Sequence, residues 1–194
     1  MPLTRRQVLK KLALALGGTL SVPVIGAGLS CRSPASDAAW APRTLSASQN
    51  DLVMAIAEAV LPATDTPGAR EAKVHEFIDL LLTDWLSDEE RNRFLIGLAE
   101  LDAACREQTG APFPELSPER QLDFLRPYDE AAVAARHARQ DDDDPLPFFG
   151  TMKEMTLVGY YTSEIGMTRE LQHRLVFQSF DGCVHVDQVG RAWA

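Results

Sequence analysis

No Gly-x-Gly-x-x-Gly fingerprint following a strand, no phosphate loop and no Cys-x-x-Cys-His haem motif occurs in this chain. No dinucleotide, nucleotide or covalent haem site is therefore visible in it. Cysteine is scarce. Cys31, Cys105 and Cys183 are too few for an iron–sulfur cluster, which takes about four thiolates. No Gly-x-Ser-x-Gly elbow frames a nucleophile, and Ser163, in Tyr160-Tyr161-Thr162-Ser163-Glu164, reads as an ordinary serine near a helix end. Positive charge is also short, with 19 Lys and Arg against 28 Asp and Glu for a net −9. Residues 1–31 hold four cations and no acid, which leaves 15 cations against 28 acids, or −13, for the remainder. Such a surface excludes nucleic acid as a partner class and argues against charge-driven binding to anionic lipid. No strand-like alternation and no internal repeat is present.

The strongest positive feature is Thr4-Arg5-Arg6-Gln7-Val8-Leu9-Lys10, set just before an apolar run from Leu12 to Ala27. A basic n-region followed by an apolar h-region is an export signal. The adjacent Arg5 and Arg6 sharpen it to a twin-arginine signal, an address read by the translocation machinery for proteins that cross already folded. Val8 stands where Phe is usual. The run is short for a span, which takes ~20 residues, and Gly17, Gly18, Pro23 and Gly26 interrupt it, so cleavage is favoured over a retained anchor. Gly28-Leu29-Ser30-Cys31 has small residues where a signal peptidase reads. Cys31 also stands where a lipoprotein carries its lipid, although Leu29 is one place too close to it. Lipidation of Cys31 and retention of the run are the alternatives to plain cleavage.

Residues 32–46 read as a Ser/Ala/Pro linker, and 47–194 as one domain large enough for a core. Ser46 or Ser48 is placed to cap a helix with Leu52, Ile56, Ala59 and Val60 on one face, stopped by Pro62. Pro62 to Ala69 is turn chemistry throughout. A second helix is predicted from about Arg70 to Trp85, with a stripe of Val74, Phe77, Ile78, Leu81 and Leu82. Ser87 and Glu90 form a capping box for a third helix that ends near Gly110. Ser117-Pro118 opens a fourth, which Pro127 should kink or break. Phe148 to Glu164 is a fifth, ended by Gly166. Thr168–Phe177 adds a short helix, and the tail 181–194 is irregular. The fold class is all-α: a compact domain of about five helices with an irregular C-terminal tail, preceded by the signal segment.

Few side chains suggest chemistry. His75, Glu76 and Asp79 share a helical face and offer one corner of a metal site, but the partner ligands are missing and a salt-linked helix surface or a bonded core group is the plainer reading. Asp141–Asp144 lacks the alternation, glycine and closing Glu of a calcium loop and reads as a solvated acidic loop. In an oxidising compartment Cys105 and Cys183 pair most simply as a structural disulfide closing 77 intervening residues, worth roughly 4 kcal/mol in the chain-entropy model. The other reading is two thiols that never meet. Tyr160 and Tyr161 suit an interface, or equally a half-buried core.

The segments together are similar to a known family. Leu61-Pro62-Ala63-Thr64-Asp65-Thr66-Pro67-Gly68-Ala69 with Val74-His75-Glu76-Phe77-Ile78-Asp79, the block Lys153 to Gly166, and the tail around Asp181-Gly182-Cys183 with Gly190-Arg191-Ala192-Trp193 resemble the gluconate 2-dehydrogenase subunit 3 family. The resemblance implies a non-catalytic small subunit. Its large partner would hold FAD and oxidise a sugar, sugar acid or glucoside, and a cytochrome c subunit would take the electrons. The small subunit would carry the export signal, so the flavin justifying that address would sit in the partner and no cofactor in this chain. The expected location is the periplasm, associated with the membrane through partners or an N-terminal anchor. Expected site residues are Arg5 and Arg6 for export, and Tyr160, Tyr161 and Glu164 with Thr64, Asp65 and Pro67 of the loop for the partner interface. The competing readings are an independent periplasmic enzyme using His75, Glu76 and Asp79, and a lipoprotein that binds some other partner.

Overall fold

The computed structural model describes residues 40–139 and 145–171, together with 173, 183, 185, 187 and 190. The chain divides into two units, 1–41 and 42–194, and all that follows concerns the second. Ser46 opens helix α1 (Ala47–Val60) with a reciprocal capping box: its hydroxyl accepts from the Gln49 N–H and its own N–H donates to Gln49 Oε1 at 2.9 Å. Pro62 stands just past the end of α1. Helix α2 (Val74–Leu80) starts four residues later than the sequence predicts. Lys73, with φ 56°, takes the left-handed conformation, and residues 70–73 form a turn there.

From Leu81 to Trp85 the helix widens into one π turn. Ser87 and Glu90 then cap α3 (Asp88–Thr109), which Gly110 ends with φ 73°. A 3₁₀ turn (Phe113–Glu115) leads to α4 (Pro118–Ala138), capped by Ser117. Pro127 does not break α4. Pro127 and Asp123, whose carbonyl loses its helical donor, are both exposed, so water can replace the missing bond. Helix α5 (Phe148–Tyr161) ends earlier than predicted, and Gly166 does not stop the chain but begins a second π turn (Gly166–Glu170). Among the described residues there is no strand. Half of the stretch 168–177 and most of 181–194 lie outside the described residues.

Helix α5 is the middle of the packing. It touches α1, α2, α3 and α4 and sends Phe149, Met152, Met155 and Thr156 into the core. Thr156 is fully buried, yet its hydroxyl is satisfied by donating to the Met152 carbonyl at 2.8 Å. Facing these are Val53 and Ile56 of α1, Ile78 and Leu82 around α2, and Leu98 and Leu101 of α3. The sequence periodicity places Ile56, Ile78, Leu82, Leu98 and Leu101 on inward faces; Val53 is buried although it lies outside the predicted stripe, and Trp85, at the end of the π turn, is exposed. The linker also ends sooner than expected: Leu45 is buried with the core, and residues 43–45 are bonded to α2.

Candidate functional site

The turn-rich loop 61–70 is held from three sides. Glu58 of α1 accepts from the Ala63 N–H at 3.1 Å and the Arg70 N–H at 2.8 Å, pinning both ends of the loop. A Cβ on Gly68 would lie 2.5 Å from Glu58 Oε1 and 2.6 Å from the Ala63 nitrogen, so glycine is what lets the clamp close. From α5, the Tyr160 hydroxyl donates to the Pro67 carbonyl at 2.7 Å. From the second π turn, Glu170 Oε2 accepts from the Thr66 hydroxyl at 2.7 Å. Inside the loop the Thr64 N–H donates to the Thr66 carbonyl, and the Thr64 hydroxyl to Asp65. The outer residues Pro62 to Asp65 stay exposed while Gly68 and Ala69 are buried. The result is a rigid surface loop whose ordering entropy is already spent before any partner arrives.

This geometry divides the expected interface residues. Tyr160 is 4% exposed, and its burial pushes the phenol pKa up. It is a core residue and a brace, which corrects its assignment to the partner surface. A phenol has one hydroxyl, and Pro67 takes it. Tyr161 is different: it is exposed, with its ring edge-on to Tyr160 at a centroid distance of 5.3 Å. Glu164, Thr64 and Asp65 are exposed and Pro67 is half-buried. Tyr160→Phe keeps the ring but strands the Pro67 carbonyl. It is expected to cost about 1–2 kcal/mol and to speed amide hydrogen exchange at Ala69 and Thr64, read by exchange mass spectrometry against wild type.

The His75, Glu76 and Asp79 corner does not form. Asp79 is 2% exposed, and its carboxylate accepts from three successive backbone N–H groups: Arg43 at 2.7 Å, Thr44 at 3.0 Å and Leu45 at 2.9 Å. Glu76 pairs with Lys73 at 3.3 Å. Burial lowers the His75 pKa, which leaves its ring neutral at pH 7. Among the described residues no group of three or more His, Cys, Asp and Glu side chains is placed to hold a metal.

The expected disulfide is also absent. Cys105 is a free thiol, fully buried, with its Sγ 3.7 Å from both Thr109 Oγ1 and the Ala111 carbonyl oxygen, while Cys183 is exposed. Burial raises the Cys105 pKa, so it behaves as an inert core residue.

Sequence reasoning missed Glu58, Glu170 and Trp85. The two glutamates carry no local signal, since their partners lie in other segments. Trp85 falls at the end of the predicted second helix, and nothing in its local sequence signals its 80% exposure. Arg5, Arg6, Cys31 and Asp141–Asp144 lie outside the described residues. Among the described residues no helix is long and apolar enough to cross a membrane. No curated protein and no solved structure gives a significant match to the chain. The family described as gluconate 2-dehydrogenase subunit 3 matches residues 47–178. That span runs from the first residue of α1 past the second π turn, takes in every brace of the loop, and covers well over half of the sequence; the chain belongs to the gluconate 2-dehydrogenase subunit 3 family.

Proposed function

We propose that this chain is the non-catalytic small subunit of a periplasmic, FAD-dependent sugar, sugar-acid or glucoside dehydrogenase. It carries the twin-arginine export signal for the flavin-containing catalytic subunit and stabilises that subunit afterwards. FAD resides in the partner, a cytochrome c subunit receives the electrons, and the complex is membrane-associated through its partners or the N-terminus of this chain. The observation that carries the reading is the family match over 47–178, whose name is that of one subunit among several. Arg5 and Arg6 before the apolar run support the export role. The pre-braced loop, with Thr64 and Asp65 outward, Pro67 at its base and Tyr161 and Glu164 at the end of α5, supports a docking role, because a rigid surface loses little entropy on association.

The tagged full-length chain is expected to co-purify from its native host with a large oxidoreductase that shows a flavin absorbance spectrum. A colourless chain with no such companion would defeat the reading. Arg5→Lys combined with Arg6→Lys is expected to leave both chains in the cytoplasm, a loss of at least about tenfold in periplasmic flavoprotein by fractionation, because a receptor-read address depends on the arginine pair rather than on charge alone. Undiminished export of the flavoprotein would remove the carrier role.

A further inference from the structure

Trp85 is 80% exposed, which is unusual for the largest apolar side chain. It is not a loose residue. The preceding Leu82 is fully buried, and the following Leu86 N–H donates to the Leu81 carbonyl at 2.9 Å to close the π turn. Arg43 grips Asp84 through its two terminal guanidinium nitrogens at 2.8 and 3.0 Å. Ser87, two residues on, is locked in its capping box with Glu90. In a continued α-helix, residue 85 would follow Ile78, Leu81 and Leu82 onto the buried stripe. The π turn, bonded i to i+5, rotates it into solvent, and π turns of this kind recur at functional positions. Leu80, five residues earlier, is half exposed as well. Leu86 and Ser87 also line a hollow of about 560 Å³ floored by Phe94, Leu146 and Met155, so a knob stands beside a depression.

Three of the four acids near the knob in the chain are paired with arginines, and the fourth is bonded to Ser87. Asp84 pairs with Arg43, Asp88 with Arg91 and Glu89 with Arg93, and the Glu90 carboxylate accepts from the Ser87 N–H and hydroxyl. On a chain with 28 acids against 19 bases, this is a patch whose acids already have their partners. It needs no cationic counterpart from outside, and it has no excess positive charge to attract an anionic lipid surface. An exposed tryptophan with arginines close by in the chain has the residue types enriched at protein–protein hot spots, and the acids beside it, disfavoured there when bare, already have partners.

We propose that Trp85 is the anchor by which this chain docks into an uncharged, apolar socket on the flavin-containing dehydrogenase subunit; the inference rests on the subunit reading above. The test uses tagged full-length wild type, Trp85→Ala and Trp85→Phe in the native host. The quantity read is the flavin-containing oxidoreductase retained per chain, identified by its flavin spectrum and its mass, at low and at high salt. Trp85→Ala is expected to keep the wild-type unfolding midpoint and to weaken retention at least about 30-fold, with Trp85→Phe intermediate and wild-type retention little changed by salt. If wild type retains the flavoprotein and Trp85→Ala retains it equally, this proposal falls while the subunit reading stands. If wild type retains none, both fall. Retention that collapses with salt would mean that the acidic surface drives docking, against the uncharged socket. Trp85→Ala that keeps the flavoprotein but loses binding to phosphatidylcholine vesicles would make the knob a membrane contact, and one that changes only from dimer to monomer would make it a self-contact; either overturns the proposal.

Discussion

Asp79→Ala is expected to destabilise the chain by about 4 kcal/mol and to lower its urea midpoint by roughly 2 M, taking a slope near 2 kcal/mol per molar. The carboxylate accepts from the backbone amides of Arg43, Thr44 and Leu45. Leu45 is buried, so its amide could not simply turn to water once the carboxylate is gone. An unpaired buried donor costs on the order of 1–3 kcal/mol, and three lose their acceptor together. The neighbouring bonds follow from the same attachment: the Thr83 hydroxyl donates to the Asp79 carbonyl at 2.7 Å and lies 2.7 Å from the Thr44 hydroxyl. Residues 43–45 run directly into the Ser46 cap of α1, so losing Asp79 frees the start of α1 from α2. Glu76→Ala is the contrast, expected to stay within about 0.5 kcal/mol of wild type because its pair with Lys73 is a surface one. Similar losses from the two variants would mean that the acids act as a unit, as a cation corner would require.

The helices were legible because their signals are local. Ser87 with Glu90, Ser117 with Pro118, and the stripe through Val74, Ile78 and Leu82 each sit within one or two turns of what they govern. The gaps and misreadings arose where a distant partner decides. For Asp79 the plainer reading, a bonded core group, holds, but its partners, 34 to 36 residues earlier, could not be named from the sequence. Tyr160 and Tyr161 are adjacent and chemically alike, but Pro67, 93 residues away, claims one and leaves the other at the surface. Cys105 and Cys183 invited a bridge because sequence carries no distance, and the buried site of Cys105 is filled by Thr109 and Ala111 instead. The two π turns were illegible for a different reason: an extra residue in a helical turn changes the period without changing the composition. Within the family blocks proposed as the interface, the structure separates braces such as Tyr160 from exposed residues such as Tyr161 and Glu164.

Gly166→Ala is expected to be among the most damaging small substitutions in the chain, costing at least about 3 kcal/mol. Gly166 has no positive φ among the values that distinguish glycine; its constraint is space. An added Cβ would lie 2.0 Å from the Tyr160 carbonyl oxygen and 2.8 Å from its carbon, and both atoms belong to backbone that cannot swing aside as a side chain does. The crowding is built by a relay: the Ser163 hydroxyl donates to the Tyr160 carbonyl at 2.6 Å and accepts from the Gly166 N–H at 3.0 Å. That relay folds the chain back tightly enough to bring Glu170 to Thr66. Overpacking typically costs ~1–3 kcal/mol where side chains can adjust, so a backbone clash belongs at or beyond the top of that range. Gly110→Ala is the matched control. Its φ of 73° is strained for alanine, but nothing lies within 4 Å of the added carbon, and a cost near 1 kcal/mol follows. Denaturant unfolding of the two variants should therefore separate them by about 2 kcal/mol. Hydrogen exchange should show the loop at Thr64 and Ala69 loosened in Gly166→Ala alone, because only that substitution displaces the turn that carries Glu170. Equal losses in the two variants would mean that the Ser163 relay does not hold the loop.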